Sequence, residues 1–230
     1  WLPCALCLAQ VLAVSEGVLG GGECTVSLLL ATFTVGIGLG SLLCEKFSGG
    51  QVEIGLVPFG SIGLTLFGLD IAFASPTMLP AGAPLAIGAV LAQPGIVRVL
   101  LALLMLGVFG GLFIVPLYAM MQSRSALGHR ARIIAANNIL NALFMVTGAL
   151  AAGALLGAGL SIPMLFGLAA VMNAAVALYI YRLVPEFLLR FIVWLLIHSV
   201  YRLRTEGMEN IPQDGPAVIV CNHVSFVDAL

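Results

Sequence analysis

Along the chain, apolar residues come in long runs and the polar ones gather between them. A helix that crosses a bilayer needs about 20 mostly apolar residues. Five complete runs of that kind, with charges near their ends, lie near 25–44, 53–74, 96–120, 133–158 and 162–181, and residues 1–14 read as the tail of a sixth. The connections hold most of the charges, the prolines Pro76, Pro80, Pro84 and Pro94, and turns such as Ser48-Gly49-Gly50, which is the chemistry of helix breakers. One such run can be buried in a soluble core. Five in succession, with almost no amphipathic partner helices, cannot.

Composition agrees. Of 230 residues 61% are hydrophobic and 8% charged, against about 45–50% and about 25% in an ordinary soluble domain. That excludes a water-soluble globule, and it excludes disorder, which requires few apolar residues and much charge. Nine Lys plus Arg against ten Asp plus Glu leave no basic excess to neutralise phosphates, so no nucleic-acid partner is expected. The expected fold is an all-α polytopic membrane protein. The chain opens on Trp1 inside an apolar run, without a charged leader, and so reads as a fragment. Cys4, Cys7, Cys24, Cys44 and Cys221 are odd in number and scattered, which fits reduced thiols. Cys4 and Cys7 form a C-x-x-C with no second pair or histidine nearby. Packing is the better reading there, and no metal site is expected.

The basic residues orient the spans. If residues 45–51 face the cytoplasm, alternation puts 121–132 and everything after 182 there too. Lys46, Arg124, Arg130, Arg132, Arg182, Arg190, Arg202 and Arg204 are then inside and only Arg98 outside, as the positive-inside rule requires.

Within the spans, Gly36 with Gly40, Gly107 with Gly111, and Gly153 with Gly157 are each four apart, and each pair is expected to let a neighbouring helix approach closely. The string GIGLG at 36–40 lacks the strand, third glycine and later acid of a dinucleotide fingerprint. Asn137 and Asn141 share one helical face, with Asn138 beside them, near the cytoplasmic end of the fifth complete run's predecessor at 133–158. They are candidates for a polar substrate path, or for interhelical hydrogen bonds, the commoner role of amides in membranes. Asp70 and Arg98, at the outer ends of adjacent spans, are expected to pair.

Beyond Arg182 the character changes. Residues 183–204 contain EFLLRFIVWLLIHSVYR (186–202), in which Glu186, Arg190, His198 and Arg202 fall at multiples of four among apolar residues. The segment is short for a span, and an amphipathic linker helix lying in the inner interface is expected. From 205 the composition is that of a soluble domain. Ile211–Pro216 is rich in turn formers, Ala217–Val220 suits a buried strand, and Asn222-His223-Val224-Ser225-Phe226-Val227-Asp228 follows directly. A histidine at the mouth of a strand, with a carboxylate five residues on, suits general-base work. The carboxylate holds one imidazole tautomer while the other ring nitrogen takes a proton from a hydroxyl.

These residues resemble the first motif of the glycerolipid acyltransferases, Asn-His-x-Ser-x-x-Asp, at all four named positions: Asn222, His223, Ser225 and Asp228. The preceding EGMENIPQDGPAVIV is similar to that family's lead-in. The resemblance implies that His223 deprotonates a glycerophospholipid hydroxyl for attack on an acyl thioester, that Asp228 orients His223, and that Asn222 and Ser225 support the motif. It implies a thioester of acyl carrier protein or coenzyme A as co-substrate; nothing in the sequence indicates a cofactor or metal.

The helical part resembles the C-terminal six-helix half of a major facilitator transporter. GGLFIVPLYAMMQSR at 110–124 is similar to bacterial lysophospholipid transporters of that superfamily. GSLLCEKFSGG at 40–50 stands where the superfamily has Gly-x-Leu-x-Asp-Arg-x-Gly; Glu45 and Lys46 can serve as acid and base, but Ser41 and Ser48 replace glycines. A transporter half at 1–182, a linker at 183–204 and the truncated start of an α/β acyltransferase domain at 205–230 resemble, over nearly the whole chain, the bifunctional lysophospholipid transporter and 2-acylglycerophosphoethanolamine acyltransferase proteins. That resemblance implies a multi-pass protein of a bacterial inner membrane, with the enzyme portion cytoplasmic. Its partners would be membrane lipid, a lysophospholipid substrate and acyl carrier protein. The chain stops two residues after Asp228, so the fragment alone is expected to be inactive. The alternatives are an acyltransferase whose helices serve only as anchor, and a small-solute transporter of the same superfamily.

Overall fold

The structure is a computed structural model and describes residues 14–49, 53–74 and 84–200 together with Asn210. A short π-helical turn, Val14–Val18, leads to α1 (Glu23–Ser48), α2 (Leu56–Ala74), α3 (Ile87–Leu91), α4 (Ile96–Arg124), α5 (Arg130–Gly157), α6 (Ile162–Leu183) and α7 (Glu186–Ser199). No strand occurs among the described residues. α1, α2, α4, α5 and α6 are long and apolar enough to cross a membrane, and they coincide with the five complete runs. The partial run at 1–14 lies outside the described residues apart from Val14, as do all residues of the 205–230 segment except Asn210.

The helices outrun the apolar stretches at several ends. α1 continues through Glu45 and Lys46 to Gly49, whose left-handed backbone (φ 60°) lets its N–H reach the Glu45 carbonyl, the usual role of glycine just past a helix. α4 continues to Arg124, since a charged side chain at a span's end reaches water without breaking the helix. Gly159 (φ 95°) turns the chain after α5, and the Ser161 hydroxyl then accepts the Met164 N–H at 3.4 Å to cap α6.

Glycine sets which helices touch. A Cβ on Gly36 would meet the Leu104 carbonyl and lie 3.0 Å from the Gly107 Cα; one on Gly40 would collide with the Val108 carbonyl; one on Gly111 would lie 2.8 Å from the Ile37 oxygen and 2.9 Å from the Ser41 nitrogen. The pairs Gly36–Gly40 and Gly107–Gly111 therefore form two sides of one seam, where α1 and α4 run parallel with backbones in contact. Gly60 against Phe113 and Gly63 against Phe109 seat α2 antiparallel on α4, and Gly68 against Ala170 (3.0 Å) with Gly167 against Ala72 (3.4 Å) seat α6 antiparallel on α2. Leu64, Ile71, Leu103, Leu106 and Phe166 fill the core between them. The third expected pair behaves otherwise: nothing lies within 4 Å of a Cβ built on Gly153 or Gly157.

α5 stands apart. Only Gly148 and Ala152 are buried along its length, and it touches α6 through Ala152, Leu155 and Leu156 against Leu165 and Ala169. These pairings make successive spans alternate in direction, which brings Lys46, Arg124, Arg130, Arg132, Arg182 and Arg190 to one end of the bundle, here termed the basic end, and leaves Arg98 at the other. α7 packs at the basic end. Its Trp194 ring meets Phe47 edge-on at 5.6 Å and Phe59 at 6.0 Å, its indole N–H donates to the Phe47 carbonyl at 3.3 Å, and Phe191 stacks on Phe59 at 6.2 Å.

Candidate functional site

The chain's recognisable chemistry lies at Asn222, His223, Ser225 and Asp228, all outside the described residues. What the structure builds is a set of polar groups inside an apolar bundle, where each uncompensated donor or acceptor is costly.

One set joins α4 and α5. Asn137 and Asn141, one helical turn apart, both donate from Nδ2 to the Tyr118 hydroxyl, at 2.9 Å and 3.1 Å. The spacing places both amides over the ring tip of a tyrosine six residues before the end of α4. Among the described residues α5 has few other contacts with the bundle, and these hydrogen bonds are a substantial part of what holds its basic-end half there. Among the described residues, the enclosed Asn141 carbonyl oxygen meets no hydrogen-bond donor.

A second set joins α2 and α6 and was not singled out in the sequence. The Asn173 amide donates to the Ser61 carbonyl at 3.0 Å, the Ser61 hydroxyl at 3.3 Å and the Thr65 hydroxyl at 2.9 Å, and the Thr65 hydroxyl donates to the Ser61 carbonyl at 3.1 Å. Ser61 is 2% exposed. Tyr181, two turns beyond Asn173, is partly buried and brings its hydroxyl to Ser61. The signal was present as Ser61 and Thr65 four apart in one span and a lone amide in the middle of another. It was missed because serine and threonine can satisfy themselves on the helix's own carbonyls, so only a partner helix reveals their use.

Two cavities lie beside α2 and α6, and Asn173 lines the first of them. One, of about 60 Å³, lies among α1, α2, α4 and α6, with Phe33, Ile37, Leu64, Leu106 and Ile114 in its wall and Asn173 at its edge. The other, of about 210 Å³, runs between α2 and α6 past Ser61, Thr65, Leu66, Leu178 and Tyr181. At the far end of the bundle Arg98 Nη2 meets Asp70 Oδ1 at 2.5 Å, with Nε at 3.1 Å, which is the expected pairing of these residues. Among the described residues no three His, Cys, Asp or Glu side chains gather as a metal site, and Cys24 and Cys44 are free thiols.

Comparison with known proteins adds one finding. The family described as Acyltransferase matches residues 202–230, the stretch that contains Asn222, His223, Ser225 and Asp228. No curated protein and no solved structure matches the chain significantly.

Proposed function

We propose that the protein carries a lysophospholipid across a bacterial inner membrane and reacylates it on the cytoplasmic side, with lysophosphatidylethanolamine as acceptor and an acyl thioester of acyl carrier protein or coenzyme A as donor. The observation that carries this reading is the join: five apolar helices and the short α7 are followed by an acyltransferase match at 202–230 that contains a complete Asn-His-x-Ser-x-x-Asp. In the reaction, His223 takes the proton of the glycerol hydroxyl, the oxygen attacks the thioester carbonyl, and the thiolate leaves with a proton returned from the imidazolium. Asp228 holds the imidazole tautomer and stabilises its charged form. The major facilitator half, the interfacial linker and the role of Asn137 and Asn141 along the substrate path belong to the same proposal. A one-chain lipid needs a polar route for its head beside an apolar one for its tail, and an enzyme tethered at the exit raises the local concentration of its substrate.

The test supplies labelled lysophosphatidylethanolamine outside spheroplasts that hold the full-length protein or its His223→Ala variant. Internalised but unacylated lipid in the variant, and internalised acylated lipid in the wild type, are expected. If neither internalises lipid while the wild type acylates lipid supplied from the cytoplasmic face, the helices are only an anchor. Transport of a small solute with no acylation from either face sinks both readings.

A further inference from the structure

The connection between α4 and α5 concentrates positive charge without a counter-charge. Arg124 ends α4, and Arg130 and Arg132 open α5. No Asp or Glu occurs anywhere between Asp70 and Glu186. The other basic residues at this end have carboxylates close in sequence, Glu45 beside Lys46 and Glu186 four residues from both Arg182 and Arg190. Among the described residues, Arg124, Arg130 and Arg132 form no ion pair. Arg130 is partly buried, and its enclosed Nε meets no acceptor among them.

Arg130 and Arg132 also stand at the unfavourable end of their helix. The first turn of α5 has no acidic residue, and its N-cap, His129, makes no side-chain capping bond. The positive end of the helix dipole, which favours an anion, therefore meets two cations. α2 is the other span that starts at the basic end, and it is built the opposite way: the Glu53 carboxylate precedes it and accepts the Gly55 N–H at 2.9 Å. Orienting the spans requires basic residues at this end of the bundle. It does not require a helix N-terminus stripped of every carboxylate.

Helix length sets the depth of these charges. α4 has 29 residues and α5 has 28, which at about 1.5 Å per residue is about 42–44 Å. A hydrocarbon core is about 30 Å thick, and the bilayer with its headgroups about 40–45 Å. The ends at Arg124 and Arg130 thus reach the level of the lipid phosphates. Between them the loop tip carries Leu127, 83% exposed. An apolar tip among cations matches a lipid interface better than an acidic protein surface in water.

We propose that the α4–α5 connection binds the phosphate of an anionic phospholipid in the leaflet at the basic end. Arg130, Arg132 and the open first turn of α5 take the phosphate oxygens, Arg124 adds its charge, and Leu127 enters the acyl boundary. The headgroup recognised has net negative charge, because a zwitterionic one brings its own cation to the cluster. The bound lipid supplies the anion that α5 lacks, and the site does not depend on what the bundle carries.

The experiment titrates the full-length protein in detergent micelles with phosphatidylglycerol or phosphatidylcholine and counts bound lipid by native mass spectrometry. Phosphatidylglycerol is expected to bind more tightly, with a preference that shrinks as salt rises. Arg130→Gln and Arg132→Gln should each lower phosphatidylglycerol binding about fivefold and leave phosphatidylcholine unchanged, while Arg182→Gln changes neither. Equal affinity for the two lipids, or the same loss with Arg182→Gln, overturns the site. Displacement by inorganic phosphate as effective as by phosphatidylglycerol overturns it too, in favour of a free anion. In native membranes a photocrosslinker attached through Leu127→Cys is expected to capture phospholipid. Capture of protein alone overturns the proposal and assigns the loop to an acidic protein partner. Should the glutamine variants fail to insert, this crosslink decides alone, since Leu127→Cys alters no charge and the side chain is exposed.

Discussion

The seam between α1 and α4 predicts a difference between two glycines two residues apart. A methyl on Gly40 would fall 2.9 Å from the Cα and 2.8 Å from the carbonyl carbon of Val108, with the carbonyl oxygen nearer still, whereas one on Gly38 meets nothing within 4 Å. Carbon atoms in contact sit about 3.5–4.0 Å apart. The carbonyl oxygen, the nearest of the three atoms, sets the displacement: Gly40→Ala must open the seam by at least roughly 1 Å, and the obstacle is backbone, which cannot rotate away. A gap of about 0.5–1 Å forfeits about a quarter to a half of each contact's attraction, and the loss extends along Gly36, Ile37 and Ser41 of α1 and Leu104, Gly107 and Gly111 of α4. Overpacking of this kind costs about 1–3 kcal/mol. Alanine's helix preference over glycine, up to about 1 kcal/mol, acts equally at both positions, so the difference between Gly40→Ala and Gly38→Ala isolates the packing cost. Equilibrium unfolding in mixed micelles or by steric trapping is expected to place Gly40→Ala about 1–3 kcal/mol below Gly38→Ala, with Gly153→Ala and Gly157→Ala behaving like Gly38→Ala. A difference smaller than about 0.5 kcal/mol, the usual scatter of surface substitutions, would refute the seam.

Three further outcomes are expected. Asp70→Asn and Arg98→Gln should be non-additive, the double variant losing little more than either single one, and the coupling should shrink at high salt because the Arg98 side chain is 60% exposed; full additivity at low salt would argue against a working contact. Tyr118→Phe removes the acceptor shared by Asn137 and Asn141; at about 0.6 kcal/mol for each interhelical bond, a loss of about 1 kcal/mol is expected, with faster hydrogen exchange or cysteine labelling over 133–141, and unchanged protection there would count against the cluster's holding role. Trp194→Ala takes a half-buried ring from Phe47 and Phe59; a cost of about 2 kcal/mol, below the range for a fully buried tryptophan, should appear as faster proteolysis at 183–186, and an unchanged cleavage rate would show that α7 is held by other contacts.

The spans were legible because hydrophobicity over about 20 residues is a local property, and the five complete runs became α1, α2, α4, α5 and α6. The pairing of Asp70 with Arg98 was legible too, since alternation leaves both at the same end. Glycine spacing was only half legible. Gly36–Gly40 and Gly153–Gly157 are equivalent on paper, yet the first pair faces a second helix's glycines and the second faces open space. Asn173 shows the same limit: one amide in the middle of a span carries no sign of its partners until Ser61 and Thr65, more than 100 residues earlier in the chain, arrive beside it.

By itself, the sequence determined which five stretches are long and apolar enough to cross a membrane, which end collects the basic residues, and that the final segment contains an acyltransferase motif. Each of these depends on neighbours in sequence or on counting charges. Which faces touch, and therefore which polar groups meet and which grooves stay open, was decided by the tertiary structure alone. Inside a bilayer almost every face is apolar, so hydrophobicity no longer distinguishes buried from exposed. Close backbone approach and hydrogen bonds between helices make that distinction instead.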